Sequence, residues 1–429
     1  MKRKIDVQDL RKGMYVTELD RPWLGTPFLF QGFEIDADDE LETLRRLCRH
    51  VFVLEGDARV QHKARSRTAN DARHGALPPG TLQFANLQAA IPPGERATPK
   101  TGLPVPVYQD VTPVEEELPY AREIEVGARE TLLTILDDAR LGANLDIPRT
   151  RQVVNRMAES ILRNPDAMTW LTHLKNKHEY TATHSLRVCV LSLVFGRHLG
   201  YDRERLNILG IGALLHDIGK LKVPNEILDK PSGLSPEEFE IMKSHVPEGL
   251  KLLEGQPGIP PMALEVVGRH HERYNGRGYI FGLGGDDIGE FGLISALADT
   301  YDAITSDRVY HAGMTPVDAL KTIYDGRETA YHPWLSEQFI QCLGIYPIGS
   351  VVELTTGGIG VVISANRQRR LRPRVALVLS PEKKRYNPAP ILDLMQVTQD
   401  ANGNPFEIRS VLSPGAFDIN PTDYIPIHH

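Results

Sequence analysis

Leu214-Leu215-His216-Asp217-Ile218-Gly219-Lys220 closes an apolar run that begins at Ile208 and Leu209, and it sets a histidine beside a carboxylate with a lysine three residues on. Adjacent His and Asp at a helix end can hold two metal ions, with the carboxylate bridging and the imidazole to one side. Taken alone, the pair is equally compatible with a surface ion pair or a capping contact. Its meaning depends on the rest of the chain.

Working outward, the histidines cluster in segments with helical spacing. His184 lies on a run through Leu186, Val190, Leu191 and Val194. His245 follows Met242-Lys243-Ser244, and His270-His271-Glu272-Arg273 follows Val266-Val267. Asp299 ends the apolar run Leu293-Ile294-Ser295-Ala296-Leu297-Ala298. Each has a bland reading: His184 as a satisfied histidine on a half-buried face, His245 as a cap at the end of its helix before Pro247. Asp299 resists one, because an unpaired buried carboxylate is costly. Together, the five histidines and two aspartates suffice for two octahedral ions sharing Asp217. Imidazole with carboxylate suits iron, manganese or zinc better than calcium or magnesium.

At 429 residues, 41% hydrophobic and 24% charged, the chain has a soluble globular composition and is too long for one core. A formal net charge of -7 argues against nucleic acid or an anionic membrane as the main partner, so a phosphate-bearing ligand has to be met by local cations. Three widely spaced cysteines, Cys48, Cys189 and Cys342, support neither a disulfide framework nor a thiolate zinc site. The first residues lack the apolar core of a signal peptide, and the longest apolar stretches, such as 188–195, are too short to span a bilayer. Cytoplasmic residence is the expectation.

The fold class expected is mainly α, with a helical metal-binding domain, a small α+β N-terminal domain and a short β-rich C-terminal segment. Residues 1–56 form the first part, with strands near 13–16, 28–30 and 51–54 and a helix over 38–48. Residues 57–113, marked by Pro78-Pro79-Gly80 and Pro92-Pro93-Gly94, read as a flexible linker with a short helix at 82–91. Residues 114–343 are expected to be helical, with helices at 118–141, after Pro148, and at 166–177 and 180–199. In residues 344–429, short β-branched runs at 350–354, 360–363 and 374–379 predict a meander of strands. The tail from 381 is expected to drape over another domain or fray.

The order His184, His216-Asp217, Asp299 resembles the HD superfamily of metal-dependent phosphohydrolases. Its HD-GYP branch is resembled by His216-Asp217-Ile218-Gly219-Lys220, Pro224-Asn225-Glu226-Ile227-Leu228, Lys230-Pro231 and Leu234-Ser235-Pro236-Glu237-Glu238. His270-His271-Glu272-Arg273-Tyr274-Asn275-Gly276, Gly278-Tyr279 and the stretch from Ala298-Asp299 to Asp307-Arg308 complete the pattern, which covers roughly residues 165–343. Gly13-Met14-Tyr15-Val16 and Leu19-Asp20-Arg21-Pro22-Trp23 resemble the small domain of unknown function that often precedes HD-GYP domains.

The resemblance implies hydrolysis of cyclic di-GMP to pGpG, and on to GMP, by attack of a metal-bridged hydroxide on phosphorus. It implies His184, His216, Asp217, His245, His270, His271 and Asp299 as ligands of two or three divalent transition-metal ions, with Asp217 bridging. Iron or manganese comes first, with zinc, nickel or others as alternatives. Lys220 would face the substrate phosphate beside the catalytic Asp217, Arg308 would hold the other phosphate side, and Tyr279 would contact substrate.

Three departures shape the expectation. Gly278-Tyr279-Ile280 stands where the family has Gly-Tyr-Pro, which predicts a relaxed loop. Tyr180 stands where trinuclear members carry a glutamate, and Glu179 beside it points about a hundred degrees away on a helix, which favours two ions. His311 stands where a basic residue commonly follows Asp307-Arg308, weakening one phosphate contact. Two further readings stay open: a slow-turnover cyclic di-GMP sensor, and an HD hydrolase of another cyclic dinucleotide. Signalling partners would dock through the Gly278-Tyr279-Ile280 loop or the N-terminal domain. The oligomeric state is open, a homodimer being one arrangement.

Overall fold

The computed structural model describes residues 2–20, 33–35, 38–54, 91–92, 94, 108–173, 180–230, 232–306, 313–366, 369–400, 403, 405–413 and 415–425. The strand expected at 28–30, and most of the linker and of the short helix at 82–91, lie outside these residues. Two compact units result: Met1–Ala76 with Thr315–Val317 and Leu343–Tyr424, and Leu77–Met314 with Asp318–Cys342 and Ile425–His429.

In the first unit, β1 (Lys2–Asp6), β2 (Tyr15–Leu19), β3 (Phe33–Glu34) and β4 (His50–Leu54) form an antiparallel sheet in the order β1-β4-β2-β3. Alternation along β4 buries Val51 and Val53, and Leu44 of α1 (Asp38–Leu47) joins them with Val16 and Ile35 in one core. A second sheet comes from the C-terminal part: β5 (Val351–Leu354), β6 (Ile359–Ser364), β7 (Arg374–Leu379), β8 (Ile391–Asp393) and β9 (Ile408–Val411). The expected meander runs from β5 to β8, and β9 returns to pair with β5. The tail from 381 is therefore not a loose drape, because it supplies two strands and the 3₁₀ turns Ala416–Asp418 and Pro421–Tyr424. Glu40 of α1 is buried and lies 3.6 Å from Arg370, which meets a carboxylate that would be costly to bury alone.

The second unit is helical. α2 (Val114–Leu141) is followed by α3 (Ile147–Arg163), where Asp146 accepts from the Arg149 N–H at 3.0 Å and Pro148 occupies the first turn. Val154, Met157 and Ile161 recur at helical spacing and are fully buried. α4 (Pro165–Leu171) ends at Leu171, six residues short of the expected 177, and residues 174–179 lie outside the described set. At the centre, α5 (Tyr180–His198) packs on α6 (Arg203–Leu215) and on α11 (Glu290–Thr305), and α10 (Ala263–Arg269) packs on both α6 and α11. α6 is buried on every side from Leu209 to Leu215, as a continuous apolar run requires. A Cβ at Gly212 would lie 2.7 Å from the Ala263 carbonyl oxygen, so the glycine is what lets α10 close in.

Between these come a 3₁₀ turn (Ile218–Lys222), α7 (Asn225–Leu228), α8 (Pro236–Lys243) and α9 (His245–Leu253); α12 (Pro316–Asp325) and α13 (Pro333–Leu343) follow. α8 opens on a capping box: Ser235 Oγ accepts from the Glu238 N–H at 3.2 Å, and Glu238 Oε2 accepts from the Ser235 N–H at 2.7 Å. Among the described residues, no helix is long and apolar enough to cross a membrane.

Candidate metal centre

Three of the histidines stand at the ends of helices. His216 closes α6, His245 follows the end of α8, and His270 closes α10. The last turn of a helix leaves carbonyls without partners. Each ring fills one: Nδ1 of His216 donates to the Ala213 carbonyl at 2.8 Å, Nδ1 of His245 to Met242 at 2.7 Å, and Nδ1 of His270 to Val267 at 3.0 Å. With Nδ1 committed, Nε2 is the atom each ring leaves for an ion: His216 Nε2 makes no hydrogen bond, and the Nε2 atoms of His245 and His270 lie 3.4 Å apart. His245 starts α9 instead of closing a helix before Pro247.

His184, on α5, is aimed differently. Its Nδ1 donates to Asp302 Oδ2 at 2.7 Å, leaving Nε2 3.1 Å from Asp299 Oδ1 and 3.5 Å from Asp217 Oδ2. Asp302 was not singled out by the sequence reasoning. It lies three residues past Asp299 on the same face of α11, and that spacing was the available signal.

Asp217 divides its oxygens. Oδ2 lies 3.5 Å from His184 Nε2 and 3.3 Å from His216 Nε2, while Oδ1 lies 3.5 Å from His245 Nε2 and 3.9 Å from His270 Nε2. Two groups able to hold an ion result, His184-His216-Asp217 and Asp217-His245-His270-His271, with Asp217 common to both. Asp299 closes the far side, its Oδ2 3.9 Å from His271 Nδ1. All seven residues expected at the centre are thus in one place.

Gly219 does not end a helix, since α6 is over by His216. A Cβ at Gly219 would lie 1.9 Å from the His245 carbonyl oxygen, so its absence lets the 3₁₀ turn press against the start of α9 and bring Asp217 to His245. Lys220 Nζ lies 2.5 Å from Asp217 Oδ2. Tyr279 stacks on His271, ring centroids 4.6 Å apart. Arg308 and His311, like the side chain of Tyr180, lie outside the described residues.

Burial sets the electrostatics. It works against charge on Asp217, yet Lys220 and then His216 hold its pKa well below the usual carboxylate range. Burial likewise opposes charge on Asp299, and the hydrogen bond from His184 outweighs it. On His184 burial opposes the proton, but Asp299 and Asp302 together raise the pKa to about 10. Burial and the nearby His216 and His245 push His270 down to about 3, and burial with His270 pushes His271 well below its ordinary value. The carboxylates, His270 and His271 are thereby held in the states that bind metal, anionic and neutral, whereas an ion at His184 has to displace a proton.

The residues fit a metal. His216 Nε2 and Asp217 Oδ1 are buried and make no hydrogen bond, where nearly all buried polar atoms find a partner. A mixed nitrogen and oxygen donor set of this kind suits divalent transition ions.

The loop carrying Tyr279 is held despite lacking a proline. The buried Glu272 accepts from the Phe281 N–H at 2.7 Å and the Gly282 N–H at 3.1 Å, so the expected relaxation of Gly278-Tyr279-Ile280 is countered from the far side of the loop. Glu265 does the same for the start of α11, accepting from Phe291 N–H at 2.8 Å and Gly292 N–H at 3.1 Å. Burial raises both carboxyl pKa values to about 7.

Helix-borne imidazoles gathered around a shared aspartate define an HD-type domain. The HD domain family matches residues 168–335, a domain of unknown function (DUF3391) matches 2–150, and the KOW domain associated with HD domain matches 351–399. The chain is 32% identical over 405 residues to a cyclic di-GMP phosphodiesterase of Pseudomonas aeruginosa, covering 93% of this chain and 90% of that relative. It is 37% identical over 162 residues to a cyclic di-GMP phosphodiesterase of Thermotoga maritima, covering 38% of this chain and 44% of the relative. It is also 37% identical over 173 residues to the 3'3'-cGAMP-specific phosphodiesterase 3 of Vibrio cholerae, covering 40% of this chain and 37% of the relative. The chain belongs to the HD-GYP family of HD-domain phosphodiesterases.

Proposed function

We propose that this chain hydrolyses cyclic di-GMP to pGpG, and on to GMP, at a centre of two divalent transition-metal ions, iron or manganese being the metals the family resemblance implies. The observation that carries the reading is the division of Asp217, whose two oxygens face two separate groups of histidines. One ion would be held by His184, His216 and Asp217, the other by Asp217, His245, His270 and His271, with Asp299 beside His184 and His271. Bound ions supply Lewis acidity toward phosphoryl oxygens and lower the pKa of water.

The chain's own groups do the rest. The Lys220 ammonium turns from Asp217 to the phosphoryl oxygens, where charge builds as the ester bond breaks. Asp302 keeps the proton on Nδ1 of His184, so that Nε2 stays available. Tyr279, stacked on His271, would contact the substrate, and Arg308 would hold the other phosphate side. The name of the relative that spans nearly the whole chain supports cyclic di-GMP as substrate. Organisation into residues 1–56, 57–113, 114–343 and 344–429, residence in the cytoplasm, and partners received through the Tyr279 loop or the N-terminal domain belong to the same proposal.

Asp217→Ala is expected to lose both metal and turnover, whereas Lys220→Ala keeps its metal and loses rate, about 100-fold for removal of one charge-stabilising group. Elemental analysis and anaerobic cyclic di-GMP turnover of the two variants test this. Full activity in the Asp217 variant overturns it. One observation favours a second reading: a matching relative is named for 3'3'-cGAMP, so the substrate panel includes that dinucleotide.

A further inference from the structure

We propose that Phe239, Lys243 and Tyr279 form a guanine-binding subsite beside the metal centre, with Phe239 as the stacking face and Lys243 as the donor to the base edge. This rests on the reading that the substrate is a guanine-containing cyclic dinucleotide.

Aromatic rings lead outward from the histidine cluster. His271 stacks on Tyr279 at 4.6 Å, and the Tyr279 ring meets the edge of Phe239 at 5.9 Å and 83°. Phe239 is 43% exposed, unlike the aromatic residues that build the core. The capping box at Ser235 and Glu238 fixes the start of α8, and Phe239 and Lys243, four residues apart, share one face of that helix. Lys243 Nζ lies 5.0 Å from the Phe239 centroid and 5.7 Å from that of Tyr279. Only Ser244 separates Lys243 from His245, so the backbone ties this corner to the metal centre.

The chemistry selects a purine base with acceptors on its edge. A nucleobase lies one sugar away from the phosphate that the metal centre engages, and its face stacks on an aromatic ring. Lysine only donates. Guanine presents two acceptors, O6 and N7, where adenine places an amino group beside N7. The ammonium is held at 2.6 Å by Glu240, but that carboxylate is 70% exposed, and a solvated ion pair is weak enough for a base to displace.

The test uses the full, metal-loaded chain with cyclic di-GMP and cyclic di-AMP. Phe239→Ala is expected to raise KM for cyclic di-GMP about 5- to 100-fold with kcat altered by no more than about twofold, the effect of losing one base stack. Phe239→Trp should restore KM, and Lys243→Met should shrink the guanine-to-adenine ratio of kcat/KM about tenfold. Wild-type KM in Phe239→Ala, an unchanged ratio in Lys243→Met, or loss of metal from either variant overturns the subsite. If the wild-type chain turns over no cyclic di-GMP, the proposed function fails, and calorimetry with GMP and AMP then decides the subsite separately. Binding that weakens in Phe239→Ala, with a preference for GMP that is lost in Lys243→Met, supports it, and equal or absent binding refutes it.

Discussion

Replacing Asp302 with asparagine should weaken one ligand group and spare the other. Asp302 Oδ2 holds His184 Nδ1 at 2.7 Å, and His184 belongs to the group with His216 and Asp217. In the group of Asp217, His245, His270 and His271, the His245 and His270 rings are aimed by backbone carbonyls that the substitution does not touch. Loss of a carboxylate behind a ligating histidine typically weakens metal binding ~10–100-fold, about 1.4–2.7 kcal/mol.

Asparagine keeps the volume and an acceptor oxygen but removes the charge. Arg187, 3.9 Å from Asp302 Oδ1, keeps its 2.9 Å hydrogen bond to Ser306. Proton competition gives the effect a pH signature. Asp299 and Asp302 raise the His184 pKa to about 10, so below that value an ion has to displace a proton from the wild type. The variant holds that proton less well. Its deficit should therefore be smallest near pH 7 and widen toward about pH 9. In the ion-free protein the same raised pKa adds stability that is complete below 6.5 and is lost as pH rises through about 10, and the variant's stability curve should be flatter there.

Anaerobic calorimetric titration with manganese at the two pH values, with elemental analysis, reads the binding, and urea unfolding of the ion-free chain across pH reads the stability. Equal weakening of two binding steps, or wild-type affinity at the higher pH, would refute the reasoning.

Gly219→Ala places a Cβ 1.9 Å from the His245 backbone oxygen, so it should cost at least ~1–3 kcal/mol and reduce metal content together with Tm. A variant with wild-type Tm and metal would show that the 3₁₀ turn does not need its close approach to α9. Glu265→Gln should flatten the pH dependence of stability. The wild-type carboxyl, raised from 4.5 to about 7 by burial, contributes stability that is present below 4.5 and declines by up to ~3 kcal/mol as pH rises through 7. Urea unfolding of the ion-free chain across that range checks it, because glutamine still accepts from Phe291 and Gly292.

The histidines and Asp299 were conspicuous in the sequence because polar groups inside apolar helices are costly unless they have work to do. Their order along the chain was enough to expect a cluster, and the structure does gather them. What was hidden depends on which helices become neighbours. Asp302 gains its importance only because α11 lies beside α5, and Gly219 only because the turn after α6 meets α9. The missing proline suggested a loose loop, yet Glu272, ten residues from Gly282, supplies the restraint by accepting from two backbone N–H groups. The return of β9 to β5 was invisible for the same reason: pairing between strands more than fifty residues apart leaves no local periodicity. The helix expected over 166–177 was too long because spacing alone does not register the stop at Thr172.

The anchoring of three rings by carbonyls in the last turns of α6, α8 and α10 bears on how this centre tolerates change. The aim of His216, His245 and His270 is written into the main chain, so drift among the surrounding side chains leaves the socket intact. His184 is the exception, since a carboxylate, Asp302, and not a backbone carbonyl holds its Nδ1. Selection for a different metal has its most accessible handle there, at one carboxylate outside the set of ligands.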